Sequence, residues 1–395
     1  MIFPILLLSA AGFTVLTTEF IIVGLLPPMA RELGVSVSQA GLLVTLFAFT
    51  VAGGGPFLTA YFSRFDRKRL FIATLLLFSA ANLLAALAPN IATMAVARLV
   101  PALALPVFWS LASETAADLM GPEQAGRGIS ILTFGIICAT IFGIPIGTLI
   151  GDAFGWRAAF GALSALALAK AAMLSAFLPA RAAPAKAPPL RGQFALLRDR
   201  VLVGQVLWSM LIFTGMFTGY TYLADLLERV AGFDGSWVGW TLMAFGGVGL
   251  LGNALAGRRV DRDPLGTTLL FSVSTAAGMA LVAALVTSRA GLAASLTLWG
   301  LSQAALFLVC HVRVMKAAPS APAFAASLNI SGANLGIGIG AIVGGGVIDR
   351  WGVAHVGEVG AAVLFASTLL GGWLVAASRP RPVPAGACAG SCPGR

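Results

Sequence analysis

The chain has 395 residues, of which 58% are hydrophobic and only 10% are charged. A soluble globular domain carries roughly 25% charged residues, so this chain cannot cover a water-exposed surface of its size. The charges are also clustered, and they leave apolar stretches long enough for helices of about 20 residues that cross a bilayer. The composition argues against a soluble enzyme, a disordered protein, a nucleic-acid binder and a disulfide scaffold, and it predicts a polytopic membrane protein.

Charged residues and turn residues divide the chain into twelve apolar segments, which we number as spans 1 to 12. We expect a helix in each span, because a transmembrane barrel strand would appear as a run of about ten alternating residues. In chain order the spans are predicted over residues 4–28, 38–62, 70–88, 91–117, 128–151, 156–178, 201–225, 236–257, 266–287, 290–312, 322–347 and 354–377.

The lysines and arginines predict the orientation of these spans. If the N-terminus is inside the cell, 18 of the 25 basic residues fall in inside loops or the tail, 5 fall in outside loops and 2 lie within spans. The positive-inside rule therefore predicts a multi-pass protein of the inner (plasma) membrane with both termini in the cytoplasm. The same loops account for the net charge of +10 without a nucleic-acid partner.

A charged, proline-rich connection separates the spans into two sets of six. It covers residues 179–200 and contains four prolines. We therefore predict an N-terminal six-helix bundle over residues 1–178 and a cytoplasmic linker over residues 179–200. A C-terminal six-helix bundle is predicted over residues 201–378 and a cytoplasmic tail over residues 379–395.

Span 5 and span 11 share a stripe of glycines spaced by four residues. Such a stripe lets the backbone of a neighbouring helix approach closely. Two six-span halves that repeat one another are typical of transporters whose substrate site lies between the halves. A shift of 193 residues superposes Gly143, Gly147 and Gly151 on Gly336, Gly340 and Gly344.

Three motifs carry a resemblance to a known family. The loop after span 8 reads Gly257-Arg-Arg-Val-Asp261-Arg262, and a related loop follows span 2 at residues 59–69. Span 5 contains Gly143-Ile-Pro145-Ile-Gly147. The loops resemble the G-x3-D-R-x-G-R-K motif of the major facilitator superfamily, and span 5 is similar to the antiporter motif of its drug and sugar exporters.

Two further segments resemble one branch of that family, the proton-coupled sugar-efflux and chloramphenicol-resistance proteins. They are the run from Thr17 to Pro27 and the run from Arg98 to Ser110. The resemblance implies an all-α membrane protein with twelve transmembrane helices in two pseudo-symmetric six-helix bundles. It further implies a monomeric antiporter that works by alternating access, exchanging its substrate for protons without another cofactor.

Glu19 and Arg98 are the predicted proton-coupling residues. Glu19 lies eight residues before Pro27 and Arg98 lies eight residues after Asn90, so both are about 12 Å below the same membrane surface at 1.5 Å per residue. A charge at this depth is costly and is a functional candidate. We expect the two side chains to pair directly or through water. The alternatives are a static structural ion pair, or a Glu19 that is only hydrogen-bonded between two helices.

The predicted substrate cavity is largely apolar with a few hydrogen-bonding groups. Such a surface suits a neutral or lipophilic small molecule such as a drug, a sugar or a similar metabolite. Helix packing and contact with lipid are the alternative explanation for each residue. The candidates lie in spans 4, 7 and 10, and they are Trp109, Phe217, Tyr220, Tyr222, Gln303 and Phe307.

The loops after spans 2 and 8 supply candidate gating residues. We expect Asp118 to accept an N-half arginine, and Asp66 to replace in part the carboxylate that is missing at Ser63. Anchoring to lipid headgroups is the alternative role for these loops, and Arg313 at the end of span 10 is also expected at the membrane interface. The gating candidates are Arg64, Asp66, Arg67, Asp118, Asp261 and Arg262.

Other functions have weaker support. The run Gly247-Val-Gly249-Leu-Leu-Gly252 matches a dinucleotide-binding pattern, but it lies inside span 8 with no preceding strand. A membrane enzyme usually needs paired carboxylates or clustered histidines, and this chain has two histidines and one deep carboxylate. We therefore expect no catalytic or metal site. A proton-coupled importer of the same fold stays open as the nearer alternative.

Overall fold

The structure is a computed structural model that describes residues 2–62, 65–121, 124–179, 198–319 and 322–378. Twelve helices in these ranges are long and apolar enough to cross a membrane, which confirms the twelve predicted spans. Spans 1 to 4 are Ile2–Leu33, Val37–Phe62, Arg67–Ala86 and Ile91–Met120, and span 6 is Trp156–Phe177. Spans 8 to 12 are Gly235–Val260, Pro264–Leu285, Arg289–Ala317, Pro322–Trp351 and Val356–Ser378. Span 5 consists of the consecutive segments Ala125–Cys138, Ala139–Gly143 and Ile144–Phe154, and span 7 consists of Arg200–Tyr220 and Leu223–Arg229.

The connections between spans lie alternately on two faces of the bundle. We call the face with the two described chain ends, Ile2 and Ser378, the terminal face, and we call the other the opposite face. Most of the predicted 179–200 linker and all of the 379–395 tail lie outside the described residues, so the domain boundaries stay a prediction.

Side chains that cap the first helical turn explain where several spans begin. A polar oxygen there accepts a backbone N–H that has no partner within the helix. Asp66 accepts from the N–H of Arg69 at 2.8 Å, and Asn90 accepts from the N–H of Thr93 at 2.9 Å. The spans 8, 9 and 10 are capped in the same way by Asp234, Asp263 and Ser288.

Span 5 changes helix type over Ala139–Gly143, where one π-helical turn interrupts the α-helix. Pro145 explains this turn, because it has no N–H to donate to the carbonyl of Ile141 and its ring would clash there. The hydrogen-bond ladder shifts by one residue, so the N–H of Ile144 donates to the carbonyl of Ala139. Such single π turns are frequent at functional sites.

The packing of spans 1 to 6 is repeated by spans 7 to 12. Spans 1 and 5, 2 and 4, 3 and 4, and 3 and 6 pack together in the N-terminal half. Spans 7 and 11, 8 and 10, 9 and 10, and 9 and 12 pack together in the C-terminal half. Adding six to both span numbers of each N-terminal pair gives the corresponding C-terminal pair. This repetition confirms the two pseudo-symmetric six-helix bundles.

The predicted glycine stripes form the same contact in both bundles. A Cβ atom on Gly143 would lie 2.1 Å from Thr17 Oγ1 of span 1, and one on Gly336 would lie 2.3 Å from the carbonyl oxygen of Met210 of span 7. Both pairs are 126 residues apart (143 − 17 and 336 − 210). Glycine therefore permits the close approach of spans 1 and 5 and of spans 7 and 11.

The two bundles meet through spans 2 and 11 and through spans 5 and 8. Near the opposite face, the Ser38 hydroxyl donates to Asp349 Oδ1 at 2.6 Å. Deeper in the same interface, the Thr45 hydroxyl donates to the carbonyl oxygen of Gly338 at 3.0 Å. These bonds connect span 2 of one bundle with span 11 of the other.

Two further contacts close the opposite face. Arg31 at the end of span 1 forms an ion pair with Glu228 at the end of span 7. Gly41 of span 2 lies against Tyr222, since a Cβ atom on Gly41 would lie 2.1 Å from the tyrosine hydroxyl oxygen. The bundles are therefore in close contact on this side.

The bundles are apart toward the terminal face. Span 8 packs on span 5 through Ala139–Gly143 and Ile144–Phe154, which form the part of span 5 nearer the opposite face. Near the terminal face, a Cβ atom on Gly53 or Gly257 would meet no atom within 4 Å, and Phe57 is exposed. The hydrogen bonds from Arg31, Ser38 and Thr45 to the other half lie nearer the opposite face. The bundles are thus closed together at the opposite face, and the contacts described here become sparser toward the terminal face.

Candidate functional site

Arg98 lies two turns into span 4, and only 2% of its surface is exposed. Its guanidinium donates to the main-chain carbonyls of Thr18 and Glu19 in span 1, at 2.6 Å for the bond from Nη2 to Glu19. The same group lies over the ring of Phe47, 4.4 Å from its centroid. These contacts compensate a cation that would otherwise be costly to bury, and they connect span 4 with span 1.

Glu19 is 8% exposed. Span 1 continues past Pro27 to Leu33, so Glu19 lies 14 residues from the helix end (33 − 19), and its depth in the membrane stays a prediction. The structure brings it together with Arg98, but through the main-chain oxygen of Glu19. The carboxylate itself takes part in none of the ion pairs within 4.0 Å in the described part of the chain. The protonation of a buried carboxylate that lies near a cation without a direct ion pair depends strongly on its solvation and on the distance to that cation.

Phe217 is the centre of an aromatic cluster at mid-depth. Its ring centroid lies 6.4 Å from that of Phe213, 5.5 Å from that of Tyr220 and 6.2 Å from that of Phe307. It also lies 6.0 Å from the ring of Phe20. Because Phe20 belongs to span 1 and the others to spans 7 and 10, the aromatic cluster bridges the two bundles.

The cluster continues toward spans 8 and 10. Tyr220 stacks on Phe245 at 5.7 Å, and Phe245 meets the edge of Trp299 at 5.6 Å. Trp299 Nε1 donates to Gln303 Oε1 at 2.7 Å, so one of the predicted cavity residues is held by an indole. The sequence analysis missed Phe245 and Trp299, although Trp299 lies one helical turn before Gln303 and therefore on the same side of span 10.

Two predicted cavity residues lie away from this cluster. Tyr222 is fully buried, and its hydroxyl donates to the carbonyl of Ala341 at 2.7 Å, in the closed contact near the opposite face. Trp109 is half-buried against span 1, where a Cβ atom on Gly12 would lie 2.8 Å from its ring. The structure therefore places Tyr222 between the bundles and Trp109 within the N-terminal bundle.

The predicted gating residues contact their own bundle in this structure. Arg67 is buried and forms an ion pair with Glu114 at 2.8 Å, one helical turn before the predicted partner Asp118. Asp261 pairs with Lys316 of span 10 at 3.0 Å. Both ion pairs lie near the terminal face, where the bundles are apart.

The remaining gating candidates are Asp66, Arg262 and Arg64. Asp66 caps span 3, as described above, and Arg262 is exposed. Arg64 lies outside the described residues.

Arg313 is buried against span 7, four residues before the end of the helix Arg289–Ala317, and its expected position at the membrane interface stays a prediction. Its guanidinium donates to Gln205 Oε1 and, at 2.8 Å, to Ser209 Oγ, and it lies 4.0 Å from the centroid of the Trp208 ring. Arg313 connects span 10 with span 7, as Arg98 connects span 4 with span 1. Gln205 and Ser209 are four residues apart in span 7, so their shared helix face was the signal in the sequence.

Comparison with known proteins agrees with this architecture. The sequence matches the Major Facilitator Superfamily over residues 8–323. It is 32% identical to the uncharacterized MFS-type transporter YtbD of Bacillus subtilis (strain 168), over 93% of this chain and 94% of that protein. It is 31% identical to the inner membrane transport protein YdhP of Escherichia coli (strain K12), over 93% of this chain and 95% of that protein.

Solved structures share the fold at lower sequence identity. A bacterial homolog of the human lysosomal transporter Spinster, in an inward-facing and unoccupied conformation, aligns with a TM-score of 0.70 at 17% identity, covering 95% of this chain and 94% of that one. A D-xylose-proton symporter aligns with a TM-score of 0.71 at 20% identity, covering 92% and 97%. The chain therefore belongs to the Major Facilitator Superfamily and is a multi-pass membrane transporter.

Proposed function

We propose that this protein exports a small neutral or lipophilic molecule, such as a drug, a sugar or a similar metabolite, in exchange for protons. The observation that carries the proposal is the buried carboxylate of Glu19, which forms no ion pair within 4.0 Å in the described residues and lies near the Arg98 guanidinium. Glu19 directly precedes Phe20, whose ring meets Phe217 of the other bundle. A change in the way the bundles meet therefore changes the surroundings of Glu19.

This placement supports proton coupling through Glu19 and Arg98. The carboxylate is protonated or ionised according to its solvation and the nearby charge, and both depend on the conformation of the bundles. A proton bound in one conformation and released in the other biases the equilibrium between them. Arg98 acts as a positioning residue, because it holds the backbone of span 1 at Glu19.

The aromatic cluster supports a site for a neutral or lipophilic substrate. Phe217, Tyr220 and Phe307 offer apolar surface, and Gln303 offers an amide. Such surfaces bind small molecules with a few hydrogen bonds that fix the orientation. Trp109 is proposed to contribute the wall of the N-terminal bundle nearer the terminal face.

The proposed orientation places the terminal face in the cytoplasm of a bacterial inner membrane. The basic residues of the loops favour it, and the relative YdhP is an inner membrane transport protein. In that orientation, the contacts at the opposite face support an inward-facing state. Asp261 and Arg262 are proposed to help close the terminal face in the other state, together with Arg67.

The first experiment identifies a substrate. Purified full-length protein is heated with sugars, nucleosides or amphenicols, and a compound that raises the unfolding temperature is kept. That compound is loaded into proteoliposomes with an imposed pH gradient, and its uphill movement is followed. Movement in the direction opposite to the proton supports export, whereas movement in the same direction overturns the proposal in favour of an importer.

The second experiment tests the coupling residue. Glu19→Gln removes the titrating group and keeps the side chain's shape, so we expect binding without gradient-driven transport. Glu358→Gln is the matched control, because this carboxylate is half-exposed and pairs only with His355 in the described residues. Uphill transport by the Glu19→Gln protein would show that another group carries the proton.

A further inference from the structure

A groove opens between spans 8 and 10 near the opposite face. Its volume is about 280 Å³. Most of its surface is apolar and aromatic, and one arginine lies at its end. The residues that line the groove include Trp237, Trp240, Ala244, Phe245, Val248 and Arg289.

The packing of spans 8 and 10 explains why the groove exists. Toward the terminal face the two helices touch, because a Cβ atom on Gly252 would lie 1.8 Å from the carbonyl oxygen of Leu301. At the inner end of the groove, Gly300 lies against Phe245. Toward the opposite face, large side chains such as Trp240 replace glycine on span 8, and the helices are separated by the groove.

The groove faces away from the partner bundle. The side of span 8 that carries Gly239 and Gly246 packs on span 5 of the N-terminal bundle. The groove lies on a different side of span 8, where Trp237 is 63% exposed and Trp240 is 55% exposed. Exposed tryptophans near the end of a membrane span are typical of the lipid–water interface.

The depth of the groove corresponds to one leaflet of a bilayer. From Trp237 to Val248 span 8 advances eleven residues, or about 16 Å at 1.5 Å per residue. The hydrocarbon core of a bilayer is about 30 Å thick, so the groove reaches from the interface to about the middle. An acyl chain of a lipid in the same leaflet covers the same depth.

Arg289 gives the end of the groove a positive charge. It is exposed at the start of span 10, and it is absent from the ion pairs of the described residues. An arginine guanidinium binds a phosphate with two parallel hydrogen bonds. At interface depth, a phosphate group continuous with an acyl chain is the feature of a phospholipid.

We propose that this groove binds one phospholipid of the bilayer, with its phosphate on Arg289 and an acyl chain between spans 8 and 10. The chain packs on Phe245, whose ring stacks on Tyr220 of the aromatic cluster. The bound lipid thus supports the wall of the proposed transport site from outside. The lipid site does not depend on the substrate or on the direction of transport.

Native mass spectrometry of the full-length protein tests this site. The detergent-purified protein is titrated with dioleoylphosphatidylglycerol and, separately, with dioleoylglycerol, which has the same chains and no phosphate. We expect tight binding of the first lipid only. Arg289→Gln should weaken it about fivefold, the effect of one basic residue near a membrane surface. Ala244→Trp places a large side chain at an exposed position inside the groove, so it should weaken the binding of both lipids.

Arg350→Gln is the matched control, because Arg350 is also an exposed arginine near the opposite face and lies outside the groove. We expect it to leave binding unchanged. Unfolding temperatures of all three variants show whether each is folded. Any one of three outcomes would overturn the proposal. They are equal binding of the two lipids, equal effects of Arg289→Gln and Arg350→Gln, and undiminished lipid binding by folded Ala244→Trp protein.

Discussion

Gly41 is the position at which one added methyl group should change the balance between the two transport conformations. A Cβ atom there would lie 2.1 Å from the hydroxyl oxygen of Tyr222 and 2.7 Å from its ring carbon Cζ. Tyr222 cannot move aside freely, because it is fully buried and its hydroxyl is bonded to the carbonyl of Ala341. Gly41→Ala therefore opposes the contact of span 2 with spans 7 and 11.

The expected size of the effect follows from the cost of overpacking. An extra methyl group in a closely packed site costs about 1–3 kcal/mol. The cost arises only while the opposite face is closed, so it adds directly to the free-energy difference between the two conformations. At 1.4 kcal/mol per factor of ten, the ratio of closed to open opposite face should fall by about 5- to 150-fold.

Distance measurements between spin labels can detect this shift. Labels at Gln39 of span 2 and Arg350 of span 11 are on exposed positions on the two sides of the contact. They are introduced as cysteines after the four native cysteines have been replaced. In reconstituted protein, Gly41→Ala should transfer population from the short to the long label distance.

Two comparisons show whether the reasoning is correct. Gly53→Ala lies in the same span, but its Cβ atom would meet nothing within 4 Å, so it should leave the distances unchanged. Tyr222→Phe removes the closest atom and should partly restore the short distance in the Gly41→Ala protein. An unchanged distance distribution for folded Gly41→Ala protein would refute the proposed closure at this contact.

Two further predictions concern stability. Gly340→Val should lower the unfolding temperature, because its Cβ atom would lie 2.5 Å from the carbonyl oxygen of Thr214. Gly346→Val is the control in the same span, because its Cβ atom would meet no atom within 4 Å, and it should change the unfolding temperature little. Equal effects of the two variants would contradict the close packing of spans 7 and 11. Arg98→Met should cost about 2–3 kcal/mol or more of unfolding free energy, since hydrogen bonds to charged groups contribute roughly 1.5–3 kcal/mol each. Exposed Arg127→Met is its control in the same denaturation assay, and an equal loss would contradict the proposed connection of spans 4 and 1.

The number of spans and the two-bundle architecture were readable from the sequence for a simple reason. A bilayer demands about 20 apolar residues per helix and backbone groups that are bonded within the helix, so local composition decides each span. The glycine repeat also carried spatial information, because glycines four residues apart fall on one helix face. Gly143 and Gly336 therefore predicted equivalent close approaches in the two bundles, while the helices that they contact, spans 1 and 7, were given by the structure.

The candidate site was only partly readable. Counting residues along the helices predicted that Glu19 and Arg98 lie close together, and the structure does bring them together. Counting could not decide that Arg98 would bind carbonyl oxygens of span 1, because main-chain acceptors carry no sequence signal. Counting residues also gave no sign that Arg313, near a helix end, would be buried, because Gln205 of span 7 supplies the hydrogen-bond partner that makes this possible.

Relations between the bundles were decided by the tertiary structure alone. Tyr222 is an ordinary aromatic residue in the sequence, and its role depends on Gly41 of the other bundle, 181 positions earlier (222 − 41). The Arg31–Glu228 ion pair and the aromatic contact of Phe20 with Phe217 likewise join residues from different halves. The physical reason is that the sequence requirements of a membrane helix are local, whereas the docking of two bundles depends on shapes and charges that are complementary only after each bundle has folded.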